Sequence, residues 1–164
     1  MSAITKLQRT GVLLGLMGVA AGASLAAGTV TVSYPGQETY TDAGSGQLDR
    51  EQTLRTLTLH LQSLGQRLPN GQTLQLEVLD LDLAGELRPR GGHELRVLRG
   101  GIDWPRATLR YTLWADGRVL KSGEDRLADS GYLLHPHVGR DQNLALPYER
   151  RMFNRWFSET FARR

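Results

Sequence analysis

The chain contains no cysteine. That absence excludes disulfides, thiol catalysis, cysteine-ligated zinc and a lipoprotein-type lipid anchor, so the fold has to be held by packing alone. It has no Gly-x-Ser-x-Gly elbow, and no glycine-rich loop running from a strand into a helix, so neither a serine nucleophile nor a phosphate cradle is indicated. The glycines punctuate turns instead. No internal repeat or low-complexity tract interrupts the 164 residues.

The first 28 residues are the most informative stretch. Lys6 and Arg9 precede an apolar run from Gly11 to Ala21, and small residues follow as far as Gly28. This is the layout of a secretory signal peptide spanning residues 1–26, with cleavage expected after Ala26, where Ser24 and Ala26 occupy the two small-residue positions. The alternative is a retained anchor, since the 17 residues from Gly11 to Ala27 carry no charge, at the lower limit of a membrane-spanning length. Cleavage leaves residues 27–164 as a single domain, long enough to bury roughly two-thirds of its unfolded surface. Lys6 and Arg9 leave with the leader, so 20 basic residues fall to 18 against 17 acidic ones, a net charge of +1. The whole-chain isoelectric point of about 9.6 therefore does not indicate a nucleic-acid binder.

Past the leader, Thr29–Tyr34 alternates β-branched and aromatic residues and reads as a strand. Pro35–Gln47 is rich in turn residues and reads as a surface loop. Asp49–Arg67 reads as a helix capped by Asp49, with Leu54, Leu57, Leu61, Leu64 and Leu68 recurring at helical spacing. Pro69-Asn70-Gly71 turns the chain into a long strand, Thr73–Ala84. Its apolar positions run Leu74, Leu76, Val78 and then Leu79, Leu81, Leu83, a change of parity that requires a β-bulge or a strand buried on one side early and the other late. Gly85–Gly92 reads as a polar loop, and Leu95–Leu98 as a short edge strand. Ala107–Trp114 and Val119–Leu127 flank Asp116-Gly117 and read as a hairpin. Ser130–Ala145 is an unusually long excursion, and Pro147 opens a final helix striped by Tyr148, Met152, Phe153, Trp156, Phe157 and Phe161. The expected fold is α+β: a mostly antiparallel sheet of four to five strands with two amphipathic helices packed on one face.

Few residues offer chemistry. In a regular strand Asp80 and Asp82 project from one face roughly 7 Å apart, a spacing that suits a hard cation or an acid and base pair. Alternation alone also explains them, as a solvent-facing surface with Leu79, Leu81 and Leu83 turned inward. His135-Pro136-His137 offers two imidazoles across a stiff proline, and Asp80, Asp82, His135 and His137 together would make a two-histidine, two-carboxylate metal site. His60, inside the first helix, reads as structural. Asp103-Trp104-Pro105-Arg106 is the most distinctive short segment; Trp104 either plugs the end of the sheet or presents its ring to a ligand, with Asp103 and Arg106 beside it. The arginines from Arg88 to Arg110 form either a basic patch or a solvated set paired with Glu86, Glu94 and Asp103. Arg150, Arg151, Arg155, Arg163 and Arg164 beside the aromatic stripe resemble a membrane-surface helix, but a domain of this size needs that stripe for its core.

Several segments also show a family resemblance. Tyr40-Thr41-Asp42-Ala43-Gly44, the run Leu76–Gly85, Asp103-Trp104-Pro105-Arg106, Leu109-Arg110-Tyr111, Gly123-Glu124, Tyr148-Glu149 and Trp156-Phe157 resemble, in order and spacing, an uncharacterised exported family of Gram-negative bacteria, domain of unknown function 3016. The resemblance spans roughly Val30 to Phe161 and implies a one-domain envelope protein, with no reaction and no catalytic residues attached.

Two functional readings follow. The first is a periplasmic, non-enzymatic binding or envelope-associated module, needing no cofactor, whose partner is an envelope protein or small ligand. It contacts neither nucleic acid nor membrane, and its contact surfaces are Gly85–Gly101 and Ser130–Ala145. The second is a divalent-metal-binding protein or metal-assisted hydrolase built on Asp80, Asp82, His135 and His137.

Overall fold

The computed structural model describes residues 27–134 and 144–161. Strand β1 (Thr29–Ser33) leads through a loop and a 3-10 turn at Gln37–Thr39 into helix α1 (Gln47–Ser63). Then come β2 (Gln72–Asp82), β3 (Glu86–Arg90), β4 (His93–Val97), β5 (Arg106–Ala115), β6 (Arg118–Ala128) and helix α2 (Pro147–Phe161). The main sheet has the order β1-β2-β5-β6, with β1 parallel to β2 and the other neighbours antiparallel. Strands β3 and β4 form a second, two-stranded sheet. The α+β expectation holds, with four strands in the main sheet.

Strand β2 organises this sheet. Its ladder with β5 pairs Leu74 with Leu113, Leu76 with Tyr111 and Val78 with Leu109, then resumes at Asp80 with Thr108 and Leu81 with Ala107. Leu79 is the extra residue, so the parity change in the sequence is a β-bulge. It keeps Leu81 and Leu83 in the core while Asp80 and Asp82 stay on the opposite face, together with Glu77, Arg106, Thr108 and Arg110. Without the bulge, the alternation that buries Val78 would carry Asp80 inward as well.

Both helices cover the inner face. Leu54, Leu57, Leu61, Leu64 and Leu68 are all buried, as their spacing requires, and they meet Val30, Leu74, Leu76 and Val78 in one apolar cluster. The helix begins earlier than Asp49. Gly46 is the N-cap, and Asp49, three residues on, turns its carboxylate back to accept hydrogen bonds from the Ser45 amide at 3.0 Å and hydroxyl at 3.2 Å. Past Ser63 the last turn tightens to a 3-10 segment, Leu64–Arg67.

Pro147 opens α2, where a missing N–H costs nothing, and Met152, Phe153, Trp156 and Phe157 are buried against the sheet. Trp156 lies edge-on to Tyr111 and donates its indole N–H to Asp125 of β6 at 2.8 Å. The aromatic stripe is therefore core. Of the basic residues beside it, Arg151 and Arg155 donate to the buried Asp129 carboxylate at the end of β6. Among the described residues no helix is long and apolar enough to cross a membrane.

Two loop expectations change. Gly85–Gly92 is not a plain loop: Glu86–Arg90 pairs with His93–Val97, and the proline within it, Pro89, is tolerated because a two-stranded ribbon leaves an outer edge free of partners. The β5–β6 hairpin forms as expected. Asp116 and Gly117 both have positive φ, 50° and 73°, the geometry of a tight type I′ turn.

Phe153 is fully buried where α2 meets the sheet. Phe153→Ala should cost about 3–5 kcal/mol, read as a lower urea midpoint with an unchanged slope.

Candidate functional site

The residues singled out on the outer face are engaged with one another. Asp80 accepts hydrogen bonds from the Thr41 amide at 2.8 Å and hydroxyl at 2.9 Å, which fastens the loop after β1 to the sheet. Asp82 accepts from Arg106 at 2.7 Å, and the same guanidinium donates to the Ile102 carbonyl and lies 4.6 Å from the centre of the Trp104 ring. Burial holds the Asp82 carboxyl above its ordinary value despite Arg106, with Asp42 and Asp80 adding to the effect. Trp104 is thus a half-buried face under a cation. Pro105, fully buried beside it, fills the end of the sheet.

Asp103 is buried and acts on the backbone rather than on an arginine. One carboxylate oxygen accepts the Arg99 amide at 2.6 Å, and the fully buried Tyr132 hydroxyl meets both Asp103 and the Gly100 amide. Burial pushes this carboxyl up. The surrounding N–H and hydroxyl donors outweigh burial, and the net shift is downward. The residue ties the loop of 99–103 to the turn of 129–132.

The arginines pair differently from the expectation. Arg88 does meet Glu86, but Arg96 pairs with Asp42, Arg106 with Asp82, and Arg110 with both Glu77 and Glu124. For Arg106 and Arg110 cross-strand neighbours supply the acids, because the ladder places Asp82, Glu77 and Glu124 opposite them on one face.

Sequence reasoning missed a polar cluster centred on Asp42, Arg96 and the buried Glu149. Asp42 bridges to Asp82 beyond the end of β1, with its amide donating to the Leu81 carbonyl and its carbonyl accepting the Leu83 amide. Its carboxylate takes a two-pronged grip from Arg96, at 2.7 and 3.0 Å, and the same guanidinium also reaches the Gly85 carbonyl at 3.2 Å. Gly85 allows this approach. Its φ is 86°, and a Cβ there would come within 2.9 Å of the Val97 carbonyl oxygen.

Glu149, only 3 % exposed, completes the cluster from the third position of α2 and accepts the Ala84 amide at 2.8 Å. Burial raises its pKa above the ordinary 4.5; the N–H donors and Arg96 oppose the shift and Asp42 reinforces it. The signal was present in the helix spacing: Glu149 stands on the same stripe as Met152, Phe153 and Trp156, so an acid there had to be buried.

These groups border a cavity of about 240 Å³ between the β3–β4 hairpin and the start of α2. Leu83, Ala84, Leu98, Leu146, Pro147 and Tyr148 wall it, with Arg96 and Glu149 as its polar groups. Leu146 adopts φ 57°, a left-handed conformation that costs a leucine about 1–3 kcal/mol and that structures retain when surrounding contacts dictate it.

His135 and His137, the two histidines of the four-residue metal arrangement, lie outside the described residues. Among the described residues no group of three or more histidine, aspartate or glutamate side chains is placed to hold a metal ion. His60 is buried in α1, with its Nδ1 3.3 Å from Arg150.

The architecture is that of an α+β protein with one polar sheet face open, the other covered by two helices, and a hairpin closing an apolar pocket over a buried acid. Residues 28–159 match the family model described as a protein of unknown function, DUF3016, and the chain belongs to that family. No curated protein and no solved structure matches the chain.

Two predictions follow from the cluster. Arg96→Ala leaves Asp42 without its partner and should cost about 1–3 kcal/mol in urea unfolding, with Arg96→Lys restoring only part because it lacks the fork. Glu149→Gln keeps an acceptor for Ala84 and removes the buried charge. With a raised native pKa, the folded chain holds more protons than the unfolded one, so stability falls as pH rises through that window. The variant should therefore melt with wild type at pH 4 and above it at pH 7.

Proposed function

We propose that this chain is an exported, non-enzymatic binding module of the cell envelope, acting in the periplasm as residues 27–164. The reading of residues 1–26 as a leader supports the address. The pocket between the β3–β4 hairpin and α2 carries the activity, because it combines a mostly apolar wall with two charged groups held by the fold rather than by solvent. Leu98 and Arg96 come from the Gly85–Gly101 region, which supports a contact surface on the hairpin side of the pocket.

Two measurements test this. Expression of the full chain in a Gram-negative host should release a product beginning at Ala27 into osmotic-shock fluid; a full-length product retained in the membrane fraction overturns the address. The recovered protein should capture a partner or ligand from envelope extract that Leu98→Asp no longer captures. Equal recovery by the variant removes the pocket as the contact surface. Leu98 is 38 % exposed, so this variant leaves the core unchanged, which an unaltered melting temperature verifies.

A further inference from the structure

The charges around the pocket do not balance. Two carboxylates, Asp42 and Glu149, face one guanidinium, and Arg96 is committed to Asp42 through both of its terminal nitrogens. Glu149 is the more deeply buried of the two acids, and its direct donors are uncharged backbone N–H groups: Ala84 at 2.8 Å and its own amide. No cation among the described residues forms an ion pair with it. A buried carboxylate held by backbone N–H groups and without an ion-pair partner has its desolvation cost only partly offset.

The cavity wall completes the specification. Leu83, Leu98, Leu146 and Tyr148 present hydrocarbon and ring surface, and the 240 Å³ they enclose is small for a drug-sized ligand but ample for one short chain. An occupant that satisfies both features has an apolar stem and a compact cationic tip with hydrogen-bond donors. An ammonium on a short alkyl chain meets this description, since the stem packs on the leucines while the tip keeps three donors for the carboxylate. A guanidinium is bulkier, and a carboxylate or phosphate would meet Asp42 and Glu149 with like charge.

We propose that the pocket between the β3–β4 hairpin and α2 binds a primary alkylammonium group, with Glu149 as its counter-ion and Leu83, Leu98 and Leu146 as the seat of its alkyl stem. This rests on the pocket being the contact surface of a binding module and names what that surface accepts. The ammonium belongs either to a small free amine or to a lysine side chain of a partner protein. The raised pKa of Glu149 agrees with a site that gains from an arriving positive charge.

The test is a ¹H–¹⁵N titration at pH 7.5 of the protein with n-butylamine, n-butanol and n-butyrate, following the Ala84 and Glu149 amides. Butylamine should shift both amides at concentrations at least tenfold below those butanol needs, and butyrate should leave them unmoved. Glu149→Gln should bring butylamine down to the level of butanol, while a melting temperature at or above that of wild type shows the variant folded. Arg67→Ala, at the end of the 3-10 segment after α1 and outside the pocket lining, should bind as wild type does. A capped lysine, Nα-acetyl-lysine methylamide, then separates the sources: tighter binding than butylamine assigns a protein lysine, weaker binding a free amine.

Equal binding of butylamine and butanol, preference for butyrate, or full butylamine binding by Glu149→Gln overturns the ammonium assignment and leaves the pocket as a binding surface. If none of the probes moves either amide, the ammonium assignment fails. The binding-module reading then stands or falls on the Leu98→Asp capture.

Discussion

The bulge at Leu79 is the constraint on which the rest depends. Strand β2 is hydrogen-bonded along its length to β1 on one side and β5 on the other, and the chain has to bury Leu74, Leu76 and Val78 before the bulge and Leu81 and, just past the strand's end, Leu83 after it. A regular ladder serves only one of those sets. With the extra residue absorbed, the far end of β2 delivers Leu83 and Ala84 to the core side, where the Ala84 amide meets Glu149, and Asp80 and Asp82 to the open side, where they meet Thr41 and Arg106. The pocket and the polar face are two outputs of one irregularity.

Polar groups then fix what the apolar core leaves undetermined. Arg96 joins the loop after β1 to the turn after β2, Asp103 and Tyr132 join the loop of 99–103 to the turn after β6, and Arg151 joins α2 to Asp129. Each link fastens a loop or turn that lies outside the strand ladders. Such links contribute position more than stability, because the desolvation of the charged partners offsets much of their attraction. The hairpin is the clearest case: its strands carry mostly exposed residues, and it is held over α2 by the close approach at Gly85 and by Arg96.

Periodic features were legible in the sequence. The leucine stripe of α1, the aromatic stripe of α2, the Asp-Gly turn and the parity change in β2 all report burial directly, since each position alternates or repeats with the geometry of its element. Features that depend on distant partners were not. Arg96 reads as one arginine among many until Asp42, 54 residues away in sequence, is placed beside it. Glu149 reads as a helix-start acid, and its burial shows only when it is counted with Met152, Phe153 and Trp156. Trp104 was legible as distinctive, yet its cation partner, Arg106, depends on Asp82 across the ladder. The strand at Glu86–Arg90 was hidden by Pro89, which argues against a strand anywhere but at a free edge.

The parallel pairing of β1 with β2 bears on the order in which the chain assembles. Thr29 meets Thr73 only after the whole of α1 has been laid across the sheet, whereas β5 and β6 close through a two-residue turn. Loop closure favours the short connection by a wide margin in rate, so the β5–β6 hairpin is available as a template long before β1 has anything to pair with. On that argument β2 adds to the template and α1 packs down before β1 joins as one of the two edge strands. The loop that follows β1, with Asp42 on it, is carried by the same strand, so on this order of assembly the Arg96 grip on Asp42 closes after β1 is in place and the pocket acquires its full set of charges only in the completed molecule.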